Sequence, residues 1–325
     1  MKKILLLFFV LLGMGWAVKA QQEPHFTMFM FNKQMINPAY AGARDALSFT
    51  GLYRNQWVNL DGAPVTYDIG VHSPMAANPR VSLGGIVYAD KISVFDQYGI
   101  YGQYAYRFPV SSTSTLSLGL QAGVENFSAK FSDLDPRDPF AGDVVINQNI
   151  QSAWLPNFGM GAYLSSDNYY VGFSVPRIIQ NQYNRDANQG NTDVARQFRH
   201  YFLMAGLIIP LSNVVKMKPN FMAKYVTNPG KKIQSPLSMD YNMSFIFLDR
   251  FLLGASYRTN VVKNHDSFDA IFEMQITPNL RMGYAYDYTL SELQSYNSGS
   301  HEIMIGYDIS KRIKAYTSPR FIKYF

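Results

Sequence analysis

The residue types that carry catalysis or bind metals are sparse in this chain of 325 residues and show no catalytic spacing. The chain has no cysteine, so it offers neither a thiol nucleophile nor a zinc–thiolate site. It also lacks the Gly-x-Ser-x-Gly elbow of hydrolases and a glycine-rich phosphate loop. The five histidines lie without the spacing of a metal-binding helix or hairpin: His25, His72, His200, His265 and His301. We therefore expect no cofactor and assign no catalytic, cofactor-binding or metal-binding residue.

One acidic stretch carries the hard oxygen ligands that calcium prefers. It contains Asp133, Asp135 and Asp138, with Asp143 beyond. The stretch lacks the fixed spacing and the glutamate of a calcium loop, so a solvated turn is the simpler interpretation. Calcium binding stays open as the alternative.

Residues 54–64 form a candidate recognition site for a partner, with Arg54, Gln56, Trp57, Asp61, Gly62 and Pro64 as its candidate contact residues. In the structural interpretation, Trp57 is an aromatic anchor at a membrane interface and Arg54 is an interior charge paired with an acid such as Asp61. In the functional interpretation, these residues form an outer loop that a neighbouring subunit or a cargo protein recognises. The structural interpretation is the simpler of the two.

The elements that position these residues are short segments that alternate apolar and polar residues. In residues 97–108, Tyr98, Ile100 and Tyr104 face one way while Gln103 and Arg107 face the other. The same period of two recurs about fourteen times after residue 46, in segments of about ten residues that end in turn-forming residues. This pattern is typical of an antiparallel β-barrel that spans a membrane.

The composition of the two faces distinguishes a membrane barrel from a soluble β-sandwich. Tyr and Phe supply 23 residues each, and they cluster near segment ends on the apolar face, where a lipid-facing barrel carries aromatic girdles. The other face is small or charged, as a packed or wet lumen requires. The sequence therefore predicts an all-β fold, a transmembrane antiparallel barrel of about 14 strands, with an N-terminal plug segment.

The strand boundaries indicate the side on which each connection lies. The predicted strands are residues 46–53, 65–73, 81–89, 97–108, 115–127, 154–165, 169–175, 198–210, 215–226, 236–247, 251–258, 267–276, 280–288 and 302–309. From the fifth strand on, long connections alternate with tight ones, as in barrels with long outer loops and short inner turns. Between the earlier strands, residues 74–80 and 91–96 are similar in length and give no such contrast. The even number of predicted strands and the alternation of connection lengths together predict long loops outside and both termini inside.

The first twenty residues indicate the compartment. Lys2 and Lys3 precede an apolar run over residues 4–12, and Ala20 closes a small-residue cleavage signal. The apolar run is too short to span a bilayer as a helix. We expect a signal peptide cleaved near Ala20 and a mature protein in the outer membrane. The net charge of +6 is spread along the chain, so the sequence predicts no nucleic-acid partner.

Two segments lie outside the barrel pattern. The predicted organisation is residues 1–20 as signal peptide, 21–45 as the N-terminal segment, 46–309 as the barrel and 310–325 as a periplasmic tail. The N-terminal segment is rich in Met and Phe, which need burial, and we expect it to plug the lumen. Its motif residues are Asn37, Pro38, Ala39, Tyr40 and Gly42. The tail mixes cations with aromatic residues, so it is either a frayed end or a docking peptide.

Three landmarks in this chain resemble a known family. They are Asn37-Pro38-Ala39-Tyr40-Ala41-Gly42, then Arg54-Asn55-Gln56-Trp57 followed by Asp61-Gly62-Ala63-Pro64 and Thr66, and Ser318-Pro319-Arg320-Phe321 near the C-terminus. Their order and position are similar to those of the PorP/SprF membrane proteins of the type IX secretion system. The resemblance covers the whole mature chain.

The resemblance implies an outer-membrane protein of the type IX secretion or gliding apparatus. It implies partners among the periplasmic ring and lipoprotein components, and a role in export or surface attachment of a cargo through the C-terminal domain of that cargo. Ser318, Pro319, Arg320 and Phe321 are then candidate docking residues, and the remaining partner is outer-membrane lipid. Two alternatives stay open, a plugged transporter for hydrophobic or small solutes and a barrel-borne lipid-modifying enzyme with Ser and His on adjacent strands.

Overall fold

The protein is a closed antiparallel β-barrel in a computed structural model that describes residues 25–130, 150–182, 197–227, 237–260 and 265–309. Neighbouring strands along the chain pair with each other, and β1 pairs with β15 to complete the wall. The strands are β1 (Leu47–Asn55), β2 (Val65–Pro74), β3 (Val81–Ile92), β4 (Phe95–Pro109), β5 (Thr115–Ala129), β6 (Ile150–Ser165), β7 (Tyr169–Val175), β8 (Arg199–Leu207), β9 (Ile209–Pro210), β10 (Val215–Thr227), β11 (Ser238–Phe247), β12 (Phe251–Asn260), β13 (Ser267–Gln275), β14 (Leu280–Thr289) and β15 (Ser300–Ile309).

Strands β8 and β9 together occupy one position in the wall, because both pair with β10. Pro219 lies in β10 between the stretch that pairs with β8 and the stretch that pairs with β9. Proline has no N–H to give to a ladder, which accounts for the interruption. With β8 and β9 counted as one, the fifteen assigned strands make a fourteen-stranded barrel. The predicted antiparallel barrel of about 14 strands is confirmed.

The alternation of each strand separates a lipid-facing surface from an interior. Ile69, Leu120 and Trp154 point outward and are 64%, 60% and 65% exposed. Outward aromatic residues lie near both rims, among them Tyr67, Tyr98, Phe268, Tyr288, Phe108 and Tyr307. A large apolar surface with rim aromatics is stable only in a bilayer. The predicted faces of residues 97–108 are confirmed, since Tyr98, Ile100 and Tyr104 are exposed and Gln103 and Arg107 are buried.

The barrel has two unlike ends. At one end the connections span residues 75–80, 110–114, 166–168, 211–214, 248–250 and 276–279, and we name this the short-connection end. The opposite, long-connection end carries residues 56–64, 176–198 and 290–299 among others. Among the described residues of this end there is one tight turn, because β3 and β4 pair as far as Ile92 and Phe95 and leave only residues 93–94 between them. The predicted connection over residues 91–96 is thus mostly strand.

The hydrophobic core lies inside the barrel and joins the N-terminal segment to the wall. Met28, Phe29 and Met30 from this segment are buried against inward apolar residues of the strands, among them Met204, Ile246, Leu252, Ile271 and Met304. The segment contains a helical turn α1 (Lys33–Ile36) and a 3-10 turn over Pro38–Tyr40. Among the described residues no helix has the length and apolar character needed to cross a membrane.

Candidate functional site

The N-terminal segment runs the length of the barrel interior. Near its start, the backbone N–H groups of Thr27 and Met28 donate to the Glu302 carboxylate over 2.9 and 2.8 Å. Near its end, the guanidinium of Arg44 donates to both carboxylate oxygens of Asp308, with a shortest distance of 2.8 Å. Glu302 and Asp308 lie near opposite ends of β15. The segment therefore enters β1 from the short-connection end after descending from the long-connection end.

This path corrects one part of the predicted topology. The first and last strands do meet at the short-connection end, where Leu47 pairs with Ile309. The start of the described chain does not lie there, because His25 contacts Lys224 toward the long-connection end of β10. The alternation of strand directions indicates only at which end of the barrel β1 begins. The direction of the segment before β1 is set by the hydrogen bonds of Thr27 and Met28 to Glu302.

Arg54 is the centre of a buried charge cluster at the long-connection end. Its side chain is 2% exposed and donates to Asp287 over 2.6 Å and to Glu302 over 2.9 Å. The hydroxyl of Thr27 donates to the same Asp287 over 2.6 Å. The expected pairing of Arg54 with Asp61 is wrong. Asp61 is exposed in the loop, and Arg54 instead pairs with Glu302, directly opposite on β15, and with Asp287 on β14. One buried guanidinium thus links β1, β14 and β15.

The buried charge cluster around Arg54 continues onto strands β11, β12 and β13. Arg258 donates to Asp240 over 2.5 Å and lies 3.9 Å from Asp287. Asp269 is fully buried and faces Asp287 across the β13–β14 pair. Charges with little access to water are tolerated only when other charges or hydrogen bonds compensate them, and here Arg258 lies between the acids Asp240 and Asp287.

Amide side chains fasten the middle of the N-terminal segment. Asn32 donates to both oxygens of Asp68, over 3.0 and 2.9 Å. Gln34 donates to the Val71 carbonyl over 2.9 Å and to Gln103 over 3.0 Å, and the Gln103 amide donates back to the Gln34 carbonyl. Gln34 and Gln103 are thus hydrogen-bonded to each other in both directions inside the barrel.

The motif residues Asn37, Pro38, Ala39, Tyr40 and Gly42 form a compact turn against β5 and β6. The Asn37 side chain accepts from the Ala39 N–H over 2.9 Å and donates to the Ala162 carbonyl over 3.0 Å. Tyr40 packs edge-on against Tyr163 with ring centroids 5.4 Å apart, and against His72 at the same distance. The N–H of Gly42 donates to the His72 ring over 3.1 Å, and Gly42 has a φ of +79°, which suits glycine.

Inward glycines make room for this turn. A Cβ on Gly119 would overlap the backbone of Ala39, and a Cβ on Gly161 would overlap the Asn37 side chain. Both glycines lie at inward positions of their strands, where the sequence pattern shows only a small residue. The turn and the wall therefore approach more closely than any side chain on Gly119 would permit.

The loop at residues 56–64 is fastened to both neighbouring connections. Val58 exchanges backbone hydrogen bonds of 2.8 Å with Gly299 and Ser298, and the N–H of Ser93 donates to the Gly62 carbonyl over 2.9 Å. The N–H of Trp57 donates to the Ser300 hydroxyl over 3.1 Å. Gln56, Asp61 and Pro64 belong to the same loop, with Asp61 exposed and Pro64 buried. The six candidate residues are thus brought together, but Arg54 points into the barrel and the others form its rim.

The other candidate residues lie outside the described part of the chain. These are Ser318, Pro319, Arg320 and Phe321 of the tail and the acidic stretch with Asp133, Asp135, Asp138 and Asp143. The predicted signal peptide lies outside it as well. Within the described ranges, no group of three or more acidic or histidine side chains is placed to hold a metal ion.

Several residues of this candidate site were not singled out by the sequence. Thr27, Gln34, Arg44, Asp287, Glu302 and Asp308 carry the bonds that hold the N-terminal segment. For Asp287, Glu302 and Asp308 the signal is a charged side chain on the inward face of a strand, which the alternation does indicate. The alternation does not indicate which residue each of these side chains bonds to, because the bonded residues are separated by as many as 275 positions.

Comparison with solved structures places the fold among outer-membrane channels. The CymD monoaromatic hydrocarbon channel is similar with a TM-score of 0.51 and 11% identity, over 86% of this chain and 92% of that chain. The P. putida toluene transporter TodX is similar with a TM-score of 0.50 and 8% identity, over 86% and 95%. At such identities the likeness concerns the fold alone.

Comparison of sequences gives the family. No relative was found among curated proteins. The profile described as type IX secretion system membrane protein PorP/SprF matches residues 18–307, which is most of the chain. With the barrel architecture already established, this outer-membrane protein belongs to the PorP/SprF family of type IX secretion system membrane proteins.

Proposed function

We propose that this protein is an accessory of the type IX secretion or gliding machinery that acts as a scaffold and not as an open passage. One observation carries the proposal: the N-terminal segment is bonded to the wall at Glu302, at Gln103 and at Asp308, which covers both ends and the middle of the barrel. Removing such a segment means breaking buried charge-assisted hydrogen bonds, each worth about 1.5–3 kcal/mol. A barrel filled in this way serves as a plugged support.

The two ends offer surfaces for different partners. With the long connections outside, the loop at residues 56–64 faces the exterior, where a secreted cargo arrives through its C-terminal domain. The tail, with Ser318, Pro319, Arg320 and Phe321, then lies in the periplasm, where ring or lipoprotein components reside. A peptide that mixes cations with aromatic residues has the charge for encounter and the apolar groups for a buried anchor. The protein thus bridges machinery and cargo, with no catalytic step of its own.

Purification from the native envelope tests this scaffold role. A tagged protein, crosslinked in living cells and isolated in mild detergent, is expected to bring down periplasmic secretion components and one large exported protein. A tagged unrelated barrel at matched abundance is the control. Recovery of the same proteins with both barrels, or normal export in a strain that lacks this protein, would contradict the proposal.

A plugged transporter for hydrophobic or small solutes is the second candidate function. Its support is the similarity in fold to CymD and TodX, which are described as a monoaromatic hydrocarbon channel and a toluene transporter. Against it stands the density of bonds between the N-terminal segment and the wall. Uptake of labelled toluene by cells with and without the protein separates the two candidates, because a scaffold leaves the rate unchanged.

A further inference from the structure

Two aspartates face each other inside the barrel toward the long-connection end. Asp269 on β13 and Asp287 on β14 lie in direct register. Side chains at such paired positions have Cβ atoms about 4.5–5.5 Å apart, so the two carboxyl groups are within reach of one shared hydrogen bond. Asp269 is 0% exposed and Asp287 is 2% exposed. Two ionised carboxylates this close together, with little access to water, repel each other strongly.

The two aspartates differ in their hydrogen bonds. Both oxygens of Asp287 accept a bond, one from the Thr27 hydroxyl and the other from the Arg54 guanidinium, over 2.6 Å each. Neither oxygen of Asp269 has a hydrogen-bond partner among the described residues. Charge-assisted hydrogen bonds stabilise the ionised form of a carboxyl group. The pair thus has one compensated carboxylate, Asp287, and one carboxyl group without such compensation, Asp269.

The charges around this pair do not balance. Four buried acids belong to the charge cluster, namely Asp240, Asp269, Asp287 and Glu302. Three cations face them, namely Arg54, Arg258 and Lys224. His25 adds no charge, because an ammonium group can only donate and the ring nitrogen in contact with Lys224 must therefore accept. Asp266, just before β13, is partly exposed to water. One negative charge of the buried cluster is thus left over when all four acids are ionised.

A bound proton or a bound metal cation could neutralise this remaining charge. An uncompensated charge with little access to water is costly, so one of the two is required. Within the described ranges, no three acidic or histidine side chains are placed together to hold a metal ion. A proton needs only the two facing carboxyl groups. The observed arrangement therefore favours the proton.

We propose that Asp269 and Asp287 bind one proton between them, carried by Asp269, and that this proton fastens the N-terminal segment at the long-connection end. Loss of the proton places a second negative charge beside the carboxylate that accepts from Thr27 and Arg54. The two carboxylates then repel each other and compete for Arg258, which loosens the bonds of Asp287. We name this arrangement the proton lock. It needs no secretion partner and goes beyond the scaffold role.

The proton lock makes stability depend on pH in one direction. In the unfolded chain an aspartate loses its proton above about pH 4. In the folded barrel Asp269 keeps its proton beyond this pH. Because the folded state then binds more protons than the unfolded state, the free energy of unfolding falls as pH rises. The fall ends where Asp269 loses its proton in the folded barrel as well.

Infrared spectroscopy of the full-length protein in nanodiscs tests for the proton directly. At neutral pH we expect the carbonyl band of a protonated carboxyl group, and Asp269→Asn should remove the contribution of one such group. Asp287→Asn should remove it too, because three acids then face three cations and Asp269 ionises. Asp61→Asn, at an exposed position of the same end, is the matched control and should keep the band. Absence of the band from the native protein, or an unchanged band in Asp269→Asn or Asp287→Asn, would overturn the proposal.

Guanidinium titration at several pH values measures the coupling to folding. The stability of the native protein should fall relative to that of Asp269→Asn between about pH 5 and pH 8. The native protein and Asp61→Asn should give parallel curves. Parallel curves for the native protein and Asp269→Asn would contradict the proton lock. If Asp269→Asn fails to fold, the infrared band of the native protein and its loss in Asp287→Asn still decide the question.

Hydrogen exchange tests the link between the proton and the N-terminal segment. The probe is the peptide that contains the Thr27 and Met28 amides, which donate to Glu302. In alkaline buffer these amides should exchange faster in the native protein than in Asp269→Asn, and in acidic buffer the two proteins should exchange alike. Equal exchange at every pH would show that the proton does not fasten the segment. Slower exchange on addition of calcium or sodium, in place of acid, would assign a metal cation to the pair and likewise overturn the proposal.

Discussion

Glu302 on β15 faces Arg54 on β1, and the Glu302 carboxylate holds the barrel closure and the N-terminal segment at once. The pair is in direct register, with Arg54 donating to Glu302 over 2.9 Å. The same carboxylate accepts the backbone N–H groups of Thr27 and Met28. Its side chain is fully buried. One acid thus couples the closing pair of strands to the N-terminal segment.

Replacing this acid by its amide should loosen the N-terminal segment. Glu302→Gln removes the charge from three hydrogen bonds, and we expect the free energy of unfolding to fall by about 1.5–3 kcal/mol. Guanidinium titration in detergent, followed by tryptophan fluorescence, measures the change. Glu292→Gln, at an exposed position in the connection before β15, is the matched control. Equal stability of both variants would show that Glu302 is not an anchor.

A side chain at the inward glycine of β5 should displace the turn at Pro38–Tyr40. Gly119→Val places carbon atoms where the Ala39 backbone lies, and overpacking of this kind costs about 1–3 kcal/mol. We expect a less stable protein with raised conductance in planar bilayers. Gly102→Val, at an outward position where the nearest neighbour of a Cβ is 3.9 Å away, should behave like the native protein. Similar conductance in both variants would mean that the turn does not block the lumen.

The intact protein should not conduct as an open pore. Deletion of residues 21–41 removes most of the N-terminal segment but spares β1, and we expect conductance in planar bilayers to rise because a barrel of this strand number has a wide lumen. The folded state of the deletion variant is checked by heat-modifiable mobility on gels. Large and steady conductance from the native protein would favour the transporter instead.

The orientation in the membrane is testable because the chain has no cysteine of its own. Cysteines at Asp61 or Ser298, both exposed at the long-connection end, should react with an impermeant thiol reagent on intact cells. Cysteines at Asn213 or Pro278, exposed at the short-connection end, should react only after the outer membrane is broken. The reverse pattern would place the long connections in the periplasm and overturn the assignment of partners to the two ends.

Removal of the tail tests the periplasmic contact. Deletion of residues 318–325, which include Arg320 and Phe321, should leave a folded, heat-modifiable barrel, because the final strand ends at Ile309. We expect weaker co-purification with periplasmic secretion components and slower export of cargo. Loss of the folded barrel would instead identify the tail as an assembly signal, and normal export would eliminate it as a docking peptide.

The strands and their two faces follow from the local sequence alone. Alternation with a period of two depends only on neighbouring residues, and this is why β7 was predicted with the observed bounds, Tyr169–Val175. The same local pattern separated the lipid-facing Tyr98 from the inward Gln103. Local turn residues likewise marked the tight connections at residues 166–168 and 248–250.

Which inward residues meet depends on the closure of the barrel. The sequence pattern suggests that Arg54 pairs with the nearby Asp61. Barrel closure instead places Glu302, 248 positions away, directly opposite Arg54 on the neighbouring strand β15. The direction of the N-terminal segment and the early end of β7 beside β6 are of the same kind. They depend on hydrogen bonds and packing across the lumen, where each partner is set by the closed ladder and not by its distance along the chain.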